Sequence, residues 1–153
     1  LYHQCLDASP NHVPCHRALA DLLVDTKRPQ SAFTLLERWA TRSPQLADPR
    51  IELARLHEEF GDKAVAQRYL GEAVDLEPTN ARAWTALAQL RESDGQYAQA
   101  LSNDQQAYNL NLNQPGVEER ISQLQRQTTV AANPNASNMS MAERNQGWTT
   151  ANR

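Results

Sequence analysis

The feature that most constrains this chain is a sequence pattern that returns at a fixed interval. Pro10, Pro44 and Pro78 are evenly spaced, with a period of about 34 residues. The same offset aligns several apolar columns, namely Leu19, Leu53 and Leu87; Ala20, Ala54 and Ala88; Leu22, Leu56 and Leu90; and Ala32, Ala66 and Ala100. A fixed period of this length is the signature of a stack of similar units, each of which buries its apolar face against its neighbours.

Each unit carries apolar residues at three- and four-residue spacing, which indicates two amphipathic helices. In the middle unit we expect these helices near residues 49–59 and 63–76. Gly61 and Gly95 fall between paired helices, where a residue free to take positive φ ends the first helix. Prolines recur where one unit gives way to the next and block helix continuation. The pattern predicts an all-α fold of antiparallel helix hairpins.

Composition supports this interpretation and narrows the classes of partner. Hydrophobic residues make up 40% of the 153-residue chain but aromatic residues only 6%, so the core must rest on Ala and Leu, which favour helices over strands. Lys and Arg total 15 against 18 Asp and Glu. With no basic surplus for phosphate contacts, nucleic acid is a poor candidate partner. No apolar run approaches the ~20 residues that a membrane-spanning helix needs.

The third unit shows the repeat most clearly. Its marker residues are Trp84, Leu87, Ala88, Gly95, Tyr97, Ala100 and Ala107. This pattern resembles the tetratricopeptide repeat, and the resemblance covers about residues 1–127. It departs from the family at Asp104, where a bulky apolar residue is expected, and at Leu112, where the closing proline is missing. In the first unit Lys27 and Pro29 replace the usual glycine and aromatic residue. The resemblance implies a right-handed α-α superhelix.

The period divides the chain into units. We expect residues 1–12 to hold the second helix of a truncated repeat and its turn, since the chain opens in what reads as the middle of a helix. Three repeats follow at 13–46, 47–80 and 81–114, then a capping helix at 115–127. In that helix Val117, Ile121 and Leu124 form an apolar stripe, and we expect Arg120 to face away from it. The Asn- and Ser-rich segment 128–153 is predicted to be disordered, with Trp148 as an isolated docking candidate.

The resemblance implies that the first helix of each unit lines a concave groove that binds another polypeptide. The candidate groove residues are Arg17, Asp21, Asp25, Glu52, Arg55, Glu59, Arg82, Thr85, Gln89 and Glu92. This mixed, slightly acidic lining favours a partner of basic or amide character. Relatives that hold the acidic C-termini of heat-shock chaperones use Lys, Asn and Arg donors. Here Asp21 and Glu52 stand at donor positions and Ala86 at a basic position, so we expect no chaperone-tail binding.

No catalytic constellation is apparent, so we expect the chain not to be an enzyme and to have no catalytic residues. Cys5, His12, Cys15 and His16 form the densest reactive cluster. Zinc or haem binding is conceivable, but Cys15 and His16 align with Ala83 and Trp84 of the third unit. We therefore interpret them as packing residues and expect no metal and no cofactor.

Two other functions stay open on the sequence alone. In the first alternative, the chain is an accessory repeat region of a larger enzyme, such as a transferase or kinase. In the second, it is a structural component of a cell-envelope or secretion assembly. Cytoplasmic and periplasmic or envelope locations are both compatible with the sequence. The identity of the partner does not follow from the residues, because this architecture hosts many unrelated partners.

Overall fold

A computed structural model describes residues 2–111 and 116–132. The described residues form the helices α1 Tyr2–Ala8, α2 Val13–Asp25, α3 Pro29–Arg42, α4 Asp48–Glu59, α5 Lys63–Leu76, α6 Ala81–Ser93, α7 Tyr97–Leu110 and α8 Val117–Ala132. Leu112, Pro115 and most of the segment predicted to be disordered, including Trp148, lie outside the described residues. None of the described helices has the length and apolar character needed to cross a membrane.

Successive helices pack side by side along the chain, with α2 against α3, α4 against α5 and α6 against α7. The first helices of these hairpins also contact one another, α2 against α4 and α4 against α6. No comparable contact joins the second helices α3, α5 and α7 within the described residues. The first helices therefore form the inner, more closely spaced row of the stack. This arrangement confirms the predicted all-α superhelix of helix hairpins, while the division into repeats at 13–46, 47–80 and 81–114 remains our interpretation.

The turn inside each hairpin requires a left-handed residue. Gly61 has φ of 86° and Gly95 has φ of 74°. Lys27, at the equivalent position of the first hairpin, is also left-handed with φ of 61°. The turn closes around Lys27 as the amide of Arg28 donates to the carbonyl of Leu23 at 2.8 Å. The turn therefore keeps its backbone geometry although the sequence lacks the glycine. Lys27 adopts a left-handed conformation that is unfavourable for residues with a Cβ atom.

Small residues set the spacing between the helices. The six aligned alanines Ala20, Ala32, Ala54, Ala66, Ala88 and Ala100 are all buried. Their short side chains allow neighbouring backbones to approach, and leucines such as Leu36 and Leu56 fill the space that remains. The buried core is therefore built mainly from Ala and Leu, as the composition indicated.

Aromatic residues complete the packing of the first hairpin. Trp39 is buried and its indole Nε1 donates to Asn11 Oδ1 at 3.0 Å. The imidazole of His16 stacks on this indole with ring centroids 3.9 Å apart. His57 lies partly buried between the rings of Phe33 and Tyr69. The histidines at these two positions contribute to packing between helices.

The capping helix differs from expectation in two ways. Arg120 does not face away, because its guanidinium forms a two-pronged ion pair with the fully buried carboxylate of Asp104 in α7. The pair replaces the apolar contact that leucine makes at the equivalent positions Leu36 and Leu70. The helix also continues to Ala132, five residues beyond the predicted end, and the Thr128 hydroxyl donates to the carbonyl of Leu124 at 3.0 Å.

Candidate functional site

The inner row of helices carries a buried carboxylate surrounded by arginines. Glu52 of α4 has no exposed surface. Arg17 of α2 donates two hydrogen bonds to its carboxylate, from Nε at 3.0 Å and from Nη2 at 2.6 Å. Arg82 of α6 donates from Nη2 to the same carboxylate, and Arg55 donates from Nε at 3.2 Å. One carboxylate therefore joins all three inner helices.

Further acidic residues complete the arrangement. Arg55 Nη2 donates to Asp21 of α2 at 2.6 Å, and Arg55 Nη1 approaches Glu59 at 3.4 Å. Arg82 Nη1 donates to Asp48 in the first turn of α4. We call these residues the arginine–carboxylate network; they are Arg17, Asp21, Asp48, Glu52, Arg55, Glu59 and Arg82. The network is the polar floor of the inner face.

The repeat explains why these groups meet. The positions one full repeat before and after Glu52 are Ala18 and Ala86. Since both neighbours are small, arginines from the flanking helices have room to reach the Glu52 carboxylate. Other partners are themselves one full repeat apart and of opposite charge, as Asp48 is to Arg82 and Asp21 is to Arg55. Opposite charges at equivalent positions of neighbouring repeats are therefore a sequence signal for these ion pairs. The predictions made from the sequence did not use this signal and so included no role for Asp48.

The electrostatics of the network favour ionised groups. Burial raises the pKa of Glu52. The hydrogen bond and charge of Arg17, with the charge of Arg82 and the hydrogen bond from Arg55, outweigh burial and hold that pKa below its ordinary value. The hydrogen bond to Glu52 raises the pKa of Arg17 in turn. Three guanidinium groups face four carboxylates in the network, which leaves one net negative charge.

Most of the candidate groove residues do meet on this face. Thr85 and Gln89 line a cavity of about 190 Å³ together with Arg17, Arg55 and Arg82. Asp25 is exposed at the end of α2 and Glu92 is partly exposed near the end of α6. Within residues 2–111 and 116–132, neither carboxylate belongs to the network.

The prediction for Glu52 needs correction. It was expected to face a ligand across the groove, yet its carboxylate is fully buried and already bound by three arginines. The spacing of residues along α4 placed Glu52 on the inner side of the helix but gave no information about what would cover it. Its role in the folded chain is to hold neighbouring helices together.

The cysteine–histidine cluster has a different arrangement from the predicted one. Cys5 of α1 and Cys15 of α2 form a disulfide, and His12 lies beside it with Nδ1 3.7 Å from Cys5 Sγ. His16 is buried against Trp39, as a packing residue would be. Cys15 is not such a residue, because its side chain joins α2 to α1. No pattern in the sequence indicates this pairing.

Comparison with known proteins bears on the fold. The family model described as "Tetratricopeptide repeat" matches residues 23–90. A search among curated proteins found no match.

Among solved structures, the crystal structure of MamA has a TM-score of 0.64 at 19% sequence identity, covering 84% of this chain and 75% of that one. The first TPR of Spaghetti (RPAP3) bound to the HSP90 peptide SRMEEVD has a TM-score of 0.66 at 12% identity, covering 76% and 95%.

The NMR structure of the first TPR domain of human RPAP3 gives a TM-score of 0.68 at 13% identity, covering 82% of this chain and 98% of that one. At these identities the structural likeness concerns the fold. The family match adds a sequence criterion over the central hairpins. Together they show that the chain has the fold of these tetratricopeptide repeat structures, with a sequence match to that family over residues 23–90.

Proposed function

We propose that the inner face of α2, α4 and α6 binds a polypeptide rich in basic or amide-bearing side chains, and that the chain acts by binding and not by catalysis. The fold is that of a protein-interaction module, and its inner helices offer an extended surface. The observation that carries the proposal is the charge of this surface. Its carboxylates outnumber its arginines by one within the network, and Asp25 and Glu92 add two further negative charges at its edge.

The state of the arginines argues against an acidic ligand. A guanidinium binds a carboxylate best through two parallel hydrogen bonds, and Glu52 already receives such a pair from Arg17. Arg82 is divided between Glu52 and Asp48. An incoming carboxylate would have to displace Glu52 and leave it buried without a partner, which costs about 3–5 kcal/mol. Glu52 thus occupies the donors that an acidic peptide would need.

The occupied arginines distinguish the chain from one of its structural neighbours. The RPAP3 domain is bound to the HSP90 peptide SRMEEVD, which carries three acidic side chains near its end. We expect no measurable binding of that peptide here. Its carboxylates would lie close to the Asp21 carboxylate, and the Arg17 guanidinium is already paired with Glu52. Fluorescence anisotropy with the labelled peptide tests this point, and saturable binding that a groove substitution abolishes would count against the proposal.

The groove itself is tested by affinity capture and mass spectrometry with matched charge reversals. The groove variant carries Asp25→Lys and Glu92→Lys, which alter two exposed or partly exposed carboxylates outside the network. The control variant carries Glu37→Lys and Asp75→Lys, the same charge change at exposed positions of the second helices α3 and α5. Substitutions of this kind usually change stability by no more than about 0.5 kcal/mol, so both variants should fold.

We expect the groove variant to lose the partners that the wild-type chain captures and the control variant to keep them. The reverse pattern, or equal capture by all three proteins, would contradict binding on the inner face. Glu52 is unsuitable for this experiment, because reversing a fully buried charge beside three arginines would disrupt the packing of the inner helices.

A further inference from the structure

Three groups that bind metals lie together where α1 meets α2. Cys5 lies in α1, His12 caps the N-terminus of α2, and Cys15 lies in the first turn of α2. One candidate ligand atom from each residue lies within 4.8 Å of the other two. His12 Nδ1 is 3.7 Å from Cys5 Sγ and accepts a hydrogen bond from the Cys15 amide at 3.3 Å. The sulfurs are joined as a disulfide in this structure.

Reduction of this disulfide would produce a zinc ligand set. Two thiolates and one imidazole are ligands that Zn²⁺ prefers, and three protein ligands leave a fourth position for water. Two Zn–S bonds of about 2.3 Å at a tetrahedral angle place the sulfurs roughly 3.8 Å apart. The Cα atoms of Cys5 and Cys15 are 6.5 Å apart, which leaves room for the sulfurs to separate by side-chain rotation.

His12 can change its partner without leaving a backbone group unsatisfied. The Cys15 amide donates to the His12 carbonyl at 3.1 Å as well as to Nδ1. If Nδ1 turned to a metal ion, the amide would keep its carbonyl acceptor. His12 is exposed and both cysteines are only partly buried, so an ion can reach the cluster from solvent. A positive helix terminus also favours the thiolate form of Cys15.

We propose that the reduced chain binds one zinc ion through Cys5, His12 and Cys15. Formation of the disulfide and binding of the metal then exclude each other. A dithiol reductant supplies two electrons and two protons, which break the S–S bond and give two thiols while the reductant becomes a disulfide. Zinc then displaces the two thiol protons, since only thiolates coordinate it. In either state the cluster ties α1 to α2, which places this link under the control of redox conditions and metal supply.

The experiment uses the full 153-residue chain without a histidine tag. The protein is reduced with a phosphine under anaerobic conditions, and Co²⁺ is added as a spectroscopic probe, followed by Zn²⁺ in competition with a chromophoric chelator. We expect one equivalent of Co²⁺ with a sulfur-to-metal charge-transfer band, displacement by Zn²⁺, and protection of both thiols from alkylation. The oxidised chain should bind neither ion at the same concentrations.

Substitution of His12 distinguishes a ligand from a simple helix cap. Loss of residues that only orient a ligand weakens zinc sites by about 10–100-fold, so His12→Gln should weaken binding at least about tenfold. His57→Gln, which changes a histidine packed between Phe33 and Tyr69, should leave the affinity unchanged. Absence of binding by the reduced chain, equal binding by the oxidised chain, or unchanged affinity in His12→Gln would each overturn the proposal.

Discussion

The ion pair between Asp104 and Arg120 offers a sharp test of how the last helix is held. Asp104 has no exposed surface, and the Arg120 side chain is 19% exposed. The equivalent positions in the preceding hairpins hold Leu36 and Leu70. The pair therefore stands in a site shaped for an apolar side chain, and α8 docks on α7 partly through charge.

The magnitude follows from desolvation. Removing one partner of a buried pair typically costs about 3–5 kcal/mol, whereas replacing both by apolar residues is often neutral or stabilising. Arg120→Leu strands the fully buried carboxylate and should cost about 4 kcal/mol. Asp104→Leu leaves a guanidinium with some access to water and should cost about 3 kcal/mol. The double variant should lie within about 1 kcal/mol of the wild-type chain.

Urea unfolding followed by circular dichroism measures these differences. With an m-value of about 2 kcal/mol/M, a loss of about 3 kcal/mol lowers the midpoint by about 1.5 M. Hydrogen exchange of α8 amides shows whether the loss is local, because repeat stacks can open at one end. A loss below about 1 kcal/mol in each single variant, or a loss in the double variant equal to the sum of the two single losses, would contradict a buried ion pair.

Two further predictions concern the hairpin turns and the arginine–carboxylate network. Lys27→Gly should stabilise the chain by about 1 kcal/mol, because Lys27 is left-handed at φ of 61°, while Gly61→Ala should destabilise it by a similar amount. Thermal unfolding of both variants measures these effects. Destabilisation by Lys27→Gly, or stabilisation by Gly61→Ala, would contradict the prediction. Because folding lowers the pKa of Glu52, its contribution to stability is complete above the ordinary value of 4.5 and is lost as pH falls below it. As the pH falls from above 4.5 to below it, urea midpoints should therefore fall less in Glu52→Gln than in wild type. Parallel pH profiles for the two proteins would argue against this role.

The fold could be predicted from the sequence because it depends on features that recur. The aligned alanines and leucines report which faces are buried, and Gly61 and Gly95 report where the chain turns. Lys27 shows the limit of residue-by-residue reasoning. It lacks the usual glycine but keeps the turn, since the packing of α2 against α3 fixes the backbone there.

The site was less predictable because its properties depend on pairs of residues. Helical spacing indicates that Arg17, Glu52 and Arg82 lie on the inner row. It does not indicate that the two arginines reach across from the neighbouring helices to bind the Glu52 carboxylate. The apolar stripe on α8 likewise predicts an outward-facing Arg120, because a stripe on one helix gives no information about a buried acid on its neighbour. The cysteine pairing depends on α1, which the repeat alignment represents only in part.

Selection from a displayed random-peptide library measures whether the inner face prefers basic or amide-rich polypeptides, as we propose. We expect enrichment of Lys, Arg, Asn and Gln with the wild-type chain and with the Glu37→Lys and Asp75→Lys control. We expect that enrichment to be lost with Asp25→Lys and Glu92→Lys. Enrichment of acidic peptides by the wild-type chain, or an enrichment that the groove substitutions leave intact, would contradict it.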